Sequence, residues 1–163
     1  MESLSIRPAA PDDAEGIAAT YLQSAEHHAN LDPARYFVPA PETIAARYRE
    51  GRQHPPTEAA STITLVAELD GLIVGFVDAR LEQSPDAMHR DLLYCHVIEI
   101  AVDERHRSSG IGERLLEAAE DWGRRNGAAL SLLEYLASNT RAAEFYQKRL
   151  GYQPAAISVI KRL

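Results

Sequence analysis

The sequence predicts a single α/β domain, α+β in layer terms, that spans residues 1–163. A chain of 163 residues corresponds to about one domain and is long enough to bury a core. Asp70-Gly71 separates two β-rich runs, which is a strong signal for a β-hairpin. Another β-rich run ends at Val102 and is followed by an amphipathic helix with apolar residues at helical spacing. These patterns predict a sheet covered by helices.

The first half of the chain predicts one strand, two helices and a hairpin. Pro8 removes a ladder donor and ends the first strand, while Pro11 and Asp12 are typical of a helix start. Residues 29–33 predict a turn, and the two prolines within 53–61 predict a loop. We expect strands at residues 4–6, 62–69 and 72–80, and helices from about residue 11 to 28 and from 42 to 52.

The second half predicts three strands and two helices. Arg124 and Arg125 in a last turn, with Gly127 after it, are typical of a helix end. Asn139 or Ser138 can cap the next helix. We expect strands at residues 94–102, 128–136 and 157–160, helices at 110–126 and 140–150, and a polar connection at 84–90.

Composition and charge limit the function classes. The 17 Lys and Arg residues against 24 Asp and Glu give a net charge of −7, which argues against a nucleic-acid partner and favours a cationic substrate. Cys95 is the only cysteine, so no intramolecular disulfide can form and a reducing compartment is expected. No apolar run approaches the ~18 residues of a membrane span, and the N-terminus lacks a secretory pattern. We therefore expect a cytoplasmic protein without a membrane partner.

A basic turn and two glycines join the strand at 94–102 to the helix that follows. The first amides of a helix lack internal partners and attract phosphate, and Gly110 and Gly112 allow a bulky anion close to the backbone. Arg107 adds a cation. A dinucleotide fingerprint would need a glycine where Leu115 stands, and a triphosphate-binding loop would need Gly-Lys-Ser/Thr, which is absent. An ordinary strand-to-helix turn with two glycines remains the alternative.

Two motifs together resemble those of the GNAT N-acetyltransferase superfamily. The first is Arg107-Ser108-Ser109-Gly110-Ile111-Gly112 after a strand that ends Ile100-Ala101-Val102, which is similar to the family's pyrophosphate loop for acyl-coenzyme A. The second is formed by Asn139, Ala143 and Tyr146, which share one helix face. Ser108 stands where the family commonly has glycine, and it can supply the same amide unless a positive φ is required.

The resemblance implies the fold, the cofactor and the residues that bind it. The implied fold is a central mixed, mostly antiparallel sheet of about six to seven strands with helices on both faces, splayed between the fourth and fifth strands. In that family the pantetheine of the cofactor fills this gap, which implies acetyl-coenzyme A as co-substrate and no metal. A homodimer is the usual state of the family, although no feature of this sequence fixes it. The implied cofactor-binding residues are Ile100, Ala101, Val102, Arg107, Ser108, Ser109, Gly110, Ile111, Gly112, Glu113, Asn139, Ala143 and Tyr146.

The strand at 94–102 supplies candidates for a general base. An alkylammonium with a pKa of ~10.4 must lose a proton before it can attack a thioester. Strand alternation places His96 on the face of Ile100 and Val102, and Glu99 on the opposite face unless a β-bulge changes the parity. His96 is the first candidate because its unperturbed pKa suits the task, Glu99 is the second, and water remains a third. A partly buried structural histidine is the alternative for His96.

The resemblance also implies roles for the second motif. Tyr146 would donate a hydrogen bond or proton to the coenzyme A sulfur, and Asn139 would bond the pantetheine. Core packing is the alternative for Tyr146. Three further residues near the end of the first helix, His27, His28 and Tyr36, are candidates for substrate contacts, with helix capping or plain solvation as the alternative for the histidines.

These observations predict an enzyme that transfers an acetyl group from acetyl-coenzyme A to a primary amine by direct transfer in a ternary complex. The amine belongs either to a small molecule or to a protein. No His-containing motif accompanies Cys95, so a covalent acyl-enzyme is not expected. The alternative function is a catalytically degenerate module that binds acyl-coenzyme A and regulates another process.

Overall fold

The computed structural model describes residues 3–51, 61–84 and 87–162. Within these ranges five strands form one sheet in the order β1-β2-β3-β4-β5. Neighbouring strands are antiparallel, except that β4 and β5 are parallel. The predicted mixed, mostly antiparallel sheet is confirmed. The strands are β1 (Leu4–Pro8), β2 (Thr62–Leu69), β3 (Leu72–Gln83), β4 (Leu93–Val102) and β5 (Leu130–Leu133).

Helices cover both faces of the sheet, as predicted. On one face, α3 buries Leu115 and Leu116 against Val77 and Val97. On the other face, Phe76 packs among residues of α1 and α2. Burying each side chain of this size contributes about 1.5–3 kcal/mol. The helices are α1 (Ala14–Leu31), α2 (Pro41–Arg49), α3 (Ile111–Arg125) and α4 (Thr140–Ala143), which the π-helical segment Glu144–Arg149 continues, and 3-10 turns lie at Pro11–Asp13 and Glu104–His106.

The hairpin between β2 and β3 forms where the sequence predicted it. Asp70 and Gly71 have φ values of 49° and 82°, so both lie in the left-handed region that a tight two-residue turn requires. Leu69 pairs with Leu72 directly beside the turn. Local turn chemistry therefore fixes the register of this pair of strands.

A β-bulge interrupts β4 at Ile98. Asp78 of β3 pairs with Glu99, while the next residue, Ala79, pairs with Val97, so Ile98 has no residue opposite it. Before the bulge Val97 packs on the α3 side, and after it Ile100 packs on that side too. The alternation predicted along residues 96–102 therefore fails at Ile98, and the β-bulge that the sequence left open as the alternative is present, because one extra residue in a bulge reverses the parity that follows.

The sheet opens between β4 and β5. Their pairing ends at Val97 opposite Leu133, whereas β4 continues to Val102. This gap is the splay that was expected between the fourth and fifth strands.

Several predicted elements differ from those observed. The described residues contain five strands, not six to seven, because 157–160 find no strand partner in the single chain. The strand predicted at 128–136 is shortened to Leu130–Leu133, and the regular helix predicted at 140–150 becomes π-helical after Ala143. Most of the loop predicted at 53–61, residue 52 of the second predicted helix, and residues 85–86 of the connection at 84–90 lie outside the described residues.

Candidate active site

A cavity of about 620 Å³ fills the gap between β4 and β5. Its walls come from the end of α1, the second half of β4, the start of α3, the end of β5 and the helical segment at 139–149. Nearly all predicted cofactor-binding residues line it. They are Ile100, Ala101, Val102, Arg107, Ser108, Gly110, Gly112, Glu113, Asn139 and Tyr146. Ser109, Ile111 and Ala143 are not among the lining residues.

One end of the cavity is built around the N-terminus of α3. Gly110, the residue before α3, has a φ of 85°, and no heavy atom lies within 4 Å of where its Cβ would be. A Cβ on Gly112 would lie 3.4 Å from Phe145 Cζ and 3.7 Å from Val102 Cγ2. This 15-residue helix therefore begins beside open space at Gly110, and the free amides of its first turn carry a partial positive charge.

Ser108 adopts a φ of 65° in the same loop. The sequence allowed serine here unless a positive φ was required, and the structure requires one. A non-glycine residue in this region carries a cost of about 1–2 kcal/mol. The loop keeps this conformation despite that cost.

Cationic side chains surround the α3 end of the cavity. Arg107 Nε donates to the carbonyl of Val102 at 3.2 Å, which holds the basic turn against the end of β4. Arg149 donates to Glu113 at 3.2 Å and so joins the π-helical segment to the first turn of α3. Arg141 and Lys148 also line the cavity, and Lys148 donates to Glu144 of the same wall at 3.0 Å. This end therefore suits a polyanionic ligand such as a pyrophosphate.

Asn139 begins α4, because its side-chain oxygen accepts a hydrogen bond from the backbone nitrogen of Ala142 at 3.1 Å. The same residue lines the cavity. Its amide oxygen is therefore used in helix capping, and its amide nitrogen remains a donor for a ligand.

Tyr146 lies in a cluster of aromatic rings. Its ring centroid is 5.7 Å from Tyr135, 5.1 Å from Phe145 and 6.0 Å from Tyr152. Burial, helped by the nearby charge of Glu99, raises the pKa of Tyr146 to about 12. Within the described residues its hydroxyl makes no hydrogen bond, so a protonated phenol is available to a ligand at neutral pH.

Glu99 lies at the other end of the cavity, because the bulge at Ile98 turns it toward α1. Ser24 Oγ of α1 donates to Glu99 Oε1 at 3.1 Å. The residue lies deep among packed elements, although part of its surface opens to the cavity. Burial raises the pKa of Glu99 to about 7, with a smaller contribution from the charge of Asp78. The hydrogen bond from Ser24 and the charges of His28 and Arg47 oppose this rise.

His96 contacts a different group. Its Nδ1 lies 2.9 Å from Glu82 Oε2, and Glu82 also pairs with Arg80. Among the residues that the structure describes, His96 is not part of the cavity wall, whereas Glu99 is. The structure therefore separates the two base candidates spatially.

The three substrate candidates lie together near the α1 end of the cavity, where Ser24 contacts Glu99. His27 and His28 line it, and the ring of Tyr36 lies 5.4 Å from that of His28. His28 Nδ1 lies 2.8 Å from the carbonyl of Ser24. Because a carbonyl can only accept, His28 Nδ1 donates this hydrogen bond.

Sequence reasoning missed Ser24, Arg141 and Phe145, all of which line the cavity. Ser24 lies one helical turn before His28, and this spacing was the available signal. Within the described ranges no group of three or more His, Cys, Asp or Glu residues is arranged to hold a metal ion. Among the same residues no helix is long and apolar enough to cross a membrane.

Comparison with known sequences identifies a family. The sequence pattern of the acetyltransferase (GNAT) family matches residues 30–152. An uncharacterized N-acetyltransferase, YhfO of Bacillus subtilis (strain 168), is 28% identical over 153 residues, which cover 92% of this chain and 90% of YhfO.

Solved structures share the fold. A mutant of the BH1408 protein from Bacillus halodurans has a TM-score of 0.85 at 23% identity and covers 98% of this chain and 99% of that one. The aminoglycoside N-acetyltransferase AAC(6')-Iy in complex with CoA has a TM-score of 0.73 at 18% identity, with 100% of this chain and 96% of that chain covered. At these identities the structures establish the likeness of the fold.

Proposed function

The chain belongs to the GNAT family of acetyl-coenzyme A-dependent N-acetyltransferases, and we propose that it moves the acetyl group directly to a primary amine with Glu99 as general base. The observation that carries this proposal is the position of Glu99 and Tyr146 in one cavity. The carboxyl lies at the α1 end and the phenol on the wall formed by the π-helical segment. The acceptor amine belongs either to a small molecule or to a protein.

The residues at the α3 end fit the co-substrate. Free amides of α3, Arg107 and the cations of the 139–149 segment would hold the pyrophosphate, and Asn139 would donate to the pantetheine. When bound, acetyl-coenzyme A supplies an activated acyl carbonyl with a thiolate leaving group. The gap beyond Val97 and Leu133 gives the pantetheine arm a path between two strands.

Glu99 would accept the proton that the amine must lose. A carboxyl with a pKa of about 7 is partly ionised at neutral pH and is a stronger base than an ordinary glutamate. The ammonium passes one proton to Glu99, directly or through water, and the neutral nitrogen then attacks the acyl carbon. His96, which contacts Glu82, is the alternative base, and solvent is the third.

Tyr146 would stabilise the departing sulfur. With a pKa of about 12, its hydroxyl remains protonated and can donate a hydrogen bond to the thiolate. A coenzyme A thiol is more acidic than phenol, so stabilisation by a hydrogen bond is sufficient without complete proton transfer. The C–S bond then breaks, and the thiolate, hydrogen-bonded to Tyr146, takes up through water the second proton, which the nitrogen loses as the amide forms.

The test measures release of coenzyme A thiol across a panel of amines, comparing the natural chain with Glu99→Gln and His96→Ala. General-base assistance is commonly worth 10²–10⁴-fold, so we expect at least a ~100-fold loss of turnover in Glu99→Gln. His96→Ala is the matched control on the same strand and should retain most turnover. Loss in His96→Ala with normal turnover in Glu99→Gln would transfer the role to His96. Binding of acetyl-coenzyme A without thiol release for any amine would instead indicate the regulatory module.

A further inference from the structure

Four carboxylates line the cavity, and they differ in their partners. Glu113 accepts a hydrogen bond from Arg149 at 3.2 Å. Glu144 accepts one from Lys148 at 3.0 Å, so each of these two carboxylates is paired with a cation of the same wall. The exposed side chain of Glu134, by contrast, makes no hydrogen bond or ion pair with any residue that the structure describes. Its negative charge is therefore available to a ligand in the cavity.

Glu134 directly follows β5 and lies across the splay from Glu99. Leu133, the last residue of β5, packs toward α3, so alternation places Glu134 on the α1 face of the sheet. The bulge at Ile98 places Glu99 on that face as well, where it contacts α1. Because paired strands lie about 4.8 Å apart, and these two diverge after Val97 and Leu133, the Cα atoms of the two glutamates are roughly 6 Å apart or more. Both carboxylates therefore border the α1 end of the cavity.

The α1 end has no lysine or arginine among the described residues that line it. The basic side chains of the cavity wall come from the turn after β4 and from residues 139–149, and they are Arg107, Arg141, Lys148 and Arg149. The lining residues of α1 are Ser24, His27 and His28. The cavity is therefore cationic where it suits a pyrophosphate and anionic where it suits an amine.

A single amine would use only one of these two carboxylates. The nitrogen that is acetylated gives a proton to Glu99 and becomes neutral, so it leaves the charge of Glu134 without a partner. A second ammonium on the same acceptor would supply that partner in a charge-assisted hydrogen bond. The lining residues between the two carboxylates, Ile98 and Leu133, are apolar and suit the methylene groups that would join the two nitrogens.

We propose that Glu134 binds a second ammonium of the acceptor, and that the acceptor is therefore an aliphatic diamine or polyamine. The nitrogen beside Glu99 receives the acetyl group, and the nitrogen beside Glu134 keeps its protons and its charge. This inference rests on the proposed acetyl transfer and names the substrate class for it. Glu134 acts here in specificity, since it contacts a part of the acceptor that does not react.

The first test compares diaminopropane, diaminobutane and diaminopentane with the monoamines of the same chain length. Release of coenzyme A thiol is measured at low salt and mildly alkaline pH, where exposed ion pairs are least screened and histidine side chains are neutral. A symmetric diamine presents two equivalent amines, which by itself doubles kcat/KM. Because one ion pair near the surface adds up to about a fivefold gain, the natural chain should prefer the best diamine about tenfold.

Variants assign this preference to one side chain. In Glu134→Gln the ratio of kcat/KM for diamine and monoamine should fall about fivefold, because the amide carries no charge. Glu144→Gln is the matched control, since this carboxylate lines the same cavity but is paired with Lys148, and it should keep the ratio. The change in the ratio does not depend on how the two amines differ in basicity. An equal ratio in the natural chain and in Glu134→Gln overturns the proposal.

Direct binding separates this inference from the acetyl transfer on which it rests. Calorimetry with diaminobutane in saturating coenzyme A should give a Kd about fivefold higher for Glu134→Gln than for the natural chain. Equal affinity of both chains for coenzyme A shows that the variant is folded. This difference in Kd without thiol release from any amine would remove the proposed function and support the second-ammonium site. Thiol release with an equal Kd in both chains, or with no measurable binding of diaminobutane, would overturn the site alone.

Discussion

The two ends of the cavity are built in different ways. At the α3 end the groups that suit an anion come from short stretches of chain, residues 102–113 and 139–149, and many of them are backbone amides. At the α1 end, which we propose to be the acceptor end, the central contact joins Ser24 and Glu99, which are 75 residues apart. The first end depends on local conformation, whereas the second depends on how α1 packs against a bulged strand. Changes at the first should therefore act on co-substrate binding, and changes at the second on the pH dependence of turnover.

Tyr146 lies between these ends, and Tyr146→Phe should have a larger effect than any change at either end that leaves Glu99 in place. We expect turnover to fall at least ~10-fold, because the hydroxyl would act on charge that develops in the transition state. The affinity for acetyl-coenzyme A and the melting temperature should change little, since the aromatic contacts remain. Steady-state kinetics, calorimetry and thermal unfolding measure the three quantities.

Tyr152→Phe is the matched control for that experiment. It lies in the same aromatic cluster, but its hydroxyl bonds Ser131 and Glu120. Its loss should cost about 1–2 kcal/mol of stability and leave the turnover of the folded enzyme nearly unchanged. Equal losses of turnover in both variants would make Tyr146 a packing residue.

Gly112→Val tests the α3 end alone. A Cβ at this position meets Phe145 at 3.4 Å, and the added methyl groups would narrow the approach to the helix amides. We expect the dissociation constant for coenzyme A to rise about tenfold, which corresponds to ~1.4 kcal/mol. Gly112→Ala should have a smaller effect, because it adds only the Cβ. Unchanged affinity in the valine variant, measured by calorimetry, would exclude this loop as the pyrophosphate site.

The acceptor end should control the acidic limb of the pH–rate profile. Burial raises the pKa of Glu99 to about 7, and a base works in its ionised form, so turnover should rise as pH increases through about 7. Ser24→Ala removes a hydrogen bond that lowers this pKa and should move the limb to higher pH. Asp78→Asn removes a charge that raises it and should move the limb to lower pH.

Opposite shifts in these two variants would be hard to obtain from a general loss of stability. The expected change in rate at any one pH is smaller than the effect of Tyr146→Phe. The limb must also disappear in Glu99→Gln, which separates the titration of Glu99 from that of the amine. Shifts in the same direction would contradict the role assigned to this carboxyl.

Ser108→Gly should have the smallest effect, because it changes only the local backbone conformation at the α3 end. The quantity that it alters is the free energy of unfolding. The left-handed φ of 65° costs serine about 1 kcal/mol or more, part of which the greater freedom of glycine in the unfolded chain offsets. A net gain of about 0.5 kcal/mol in urea unfolding is expected. Ser109→Gly is the control and should reduce stability, because Ser109 Oγ donates to the carbonyl of His106 at 2.5 Å. Loss of stability in Ser108→Gly would show that the Ser108 side chain stabilises the fold by more than its left-handed φ costs.

The sequence alone determined the parts of this protein that depend on neighbouring residues. Asp70-Gly71 fixed the hairpin, because few residue pairs accept two left-handed conformations in succession. The spacing of apolar residues in α3 and the glycines before it predicted a helix start open to an anion. The sequence could not predict the positive φ of Ser108, since serine seldom adopts it and the chain around it imposes it.

The tertiary structure decided what depends on contacts between distant residues. Alternation along β4 favoured His96 as the residue on the site face, but the bulge at Ile98 brings Glu99 to the cavity and leaves His96 beside Glu82. Residues 157–160 are a second example. They have the apolar pattern of a strand, but they pair with no described strand of the chain. The register of a strand, and the face on which each of its side chains lies, depend on the neighbouring strand as well as on the strand's own residues. For that reason, the residues of one strand predict its tendency to pair but not its register or its partner.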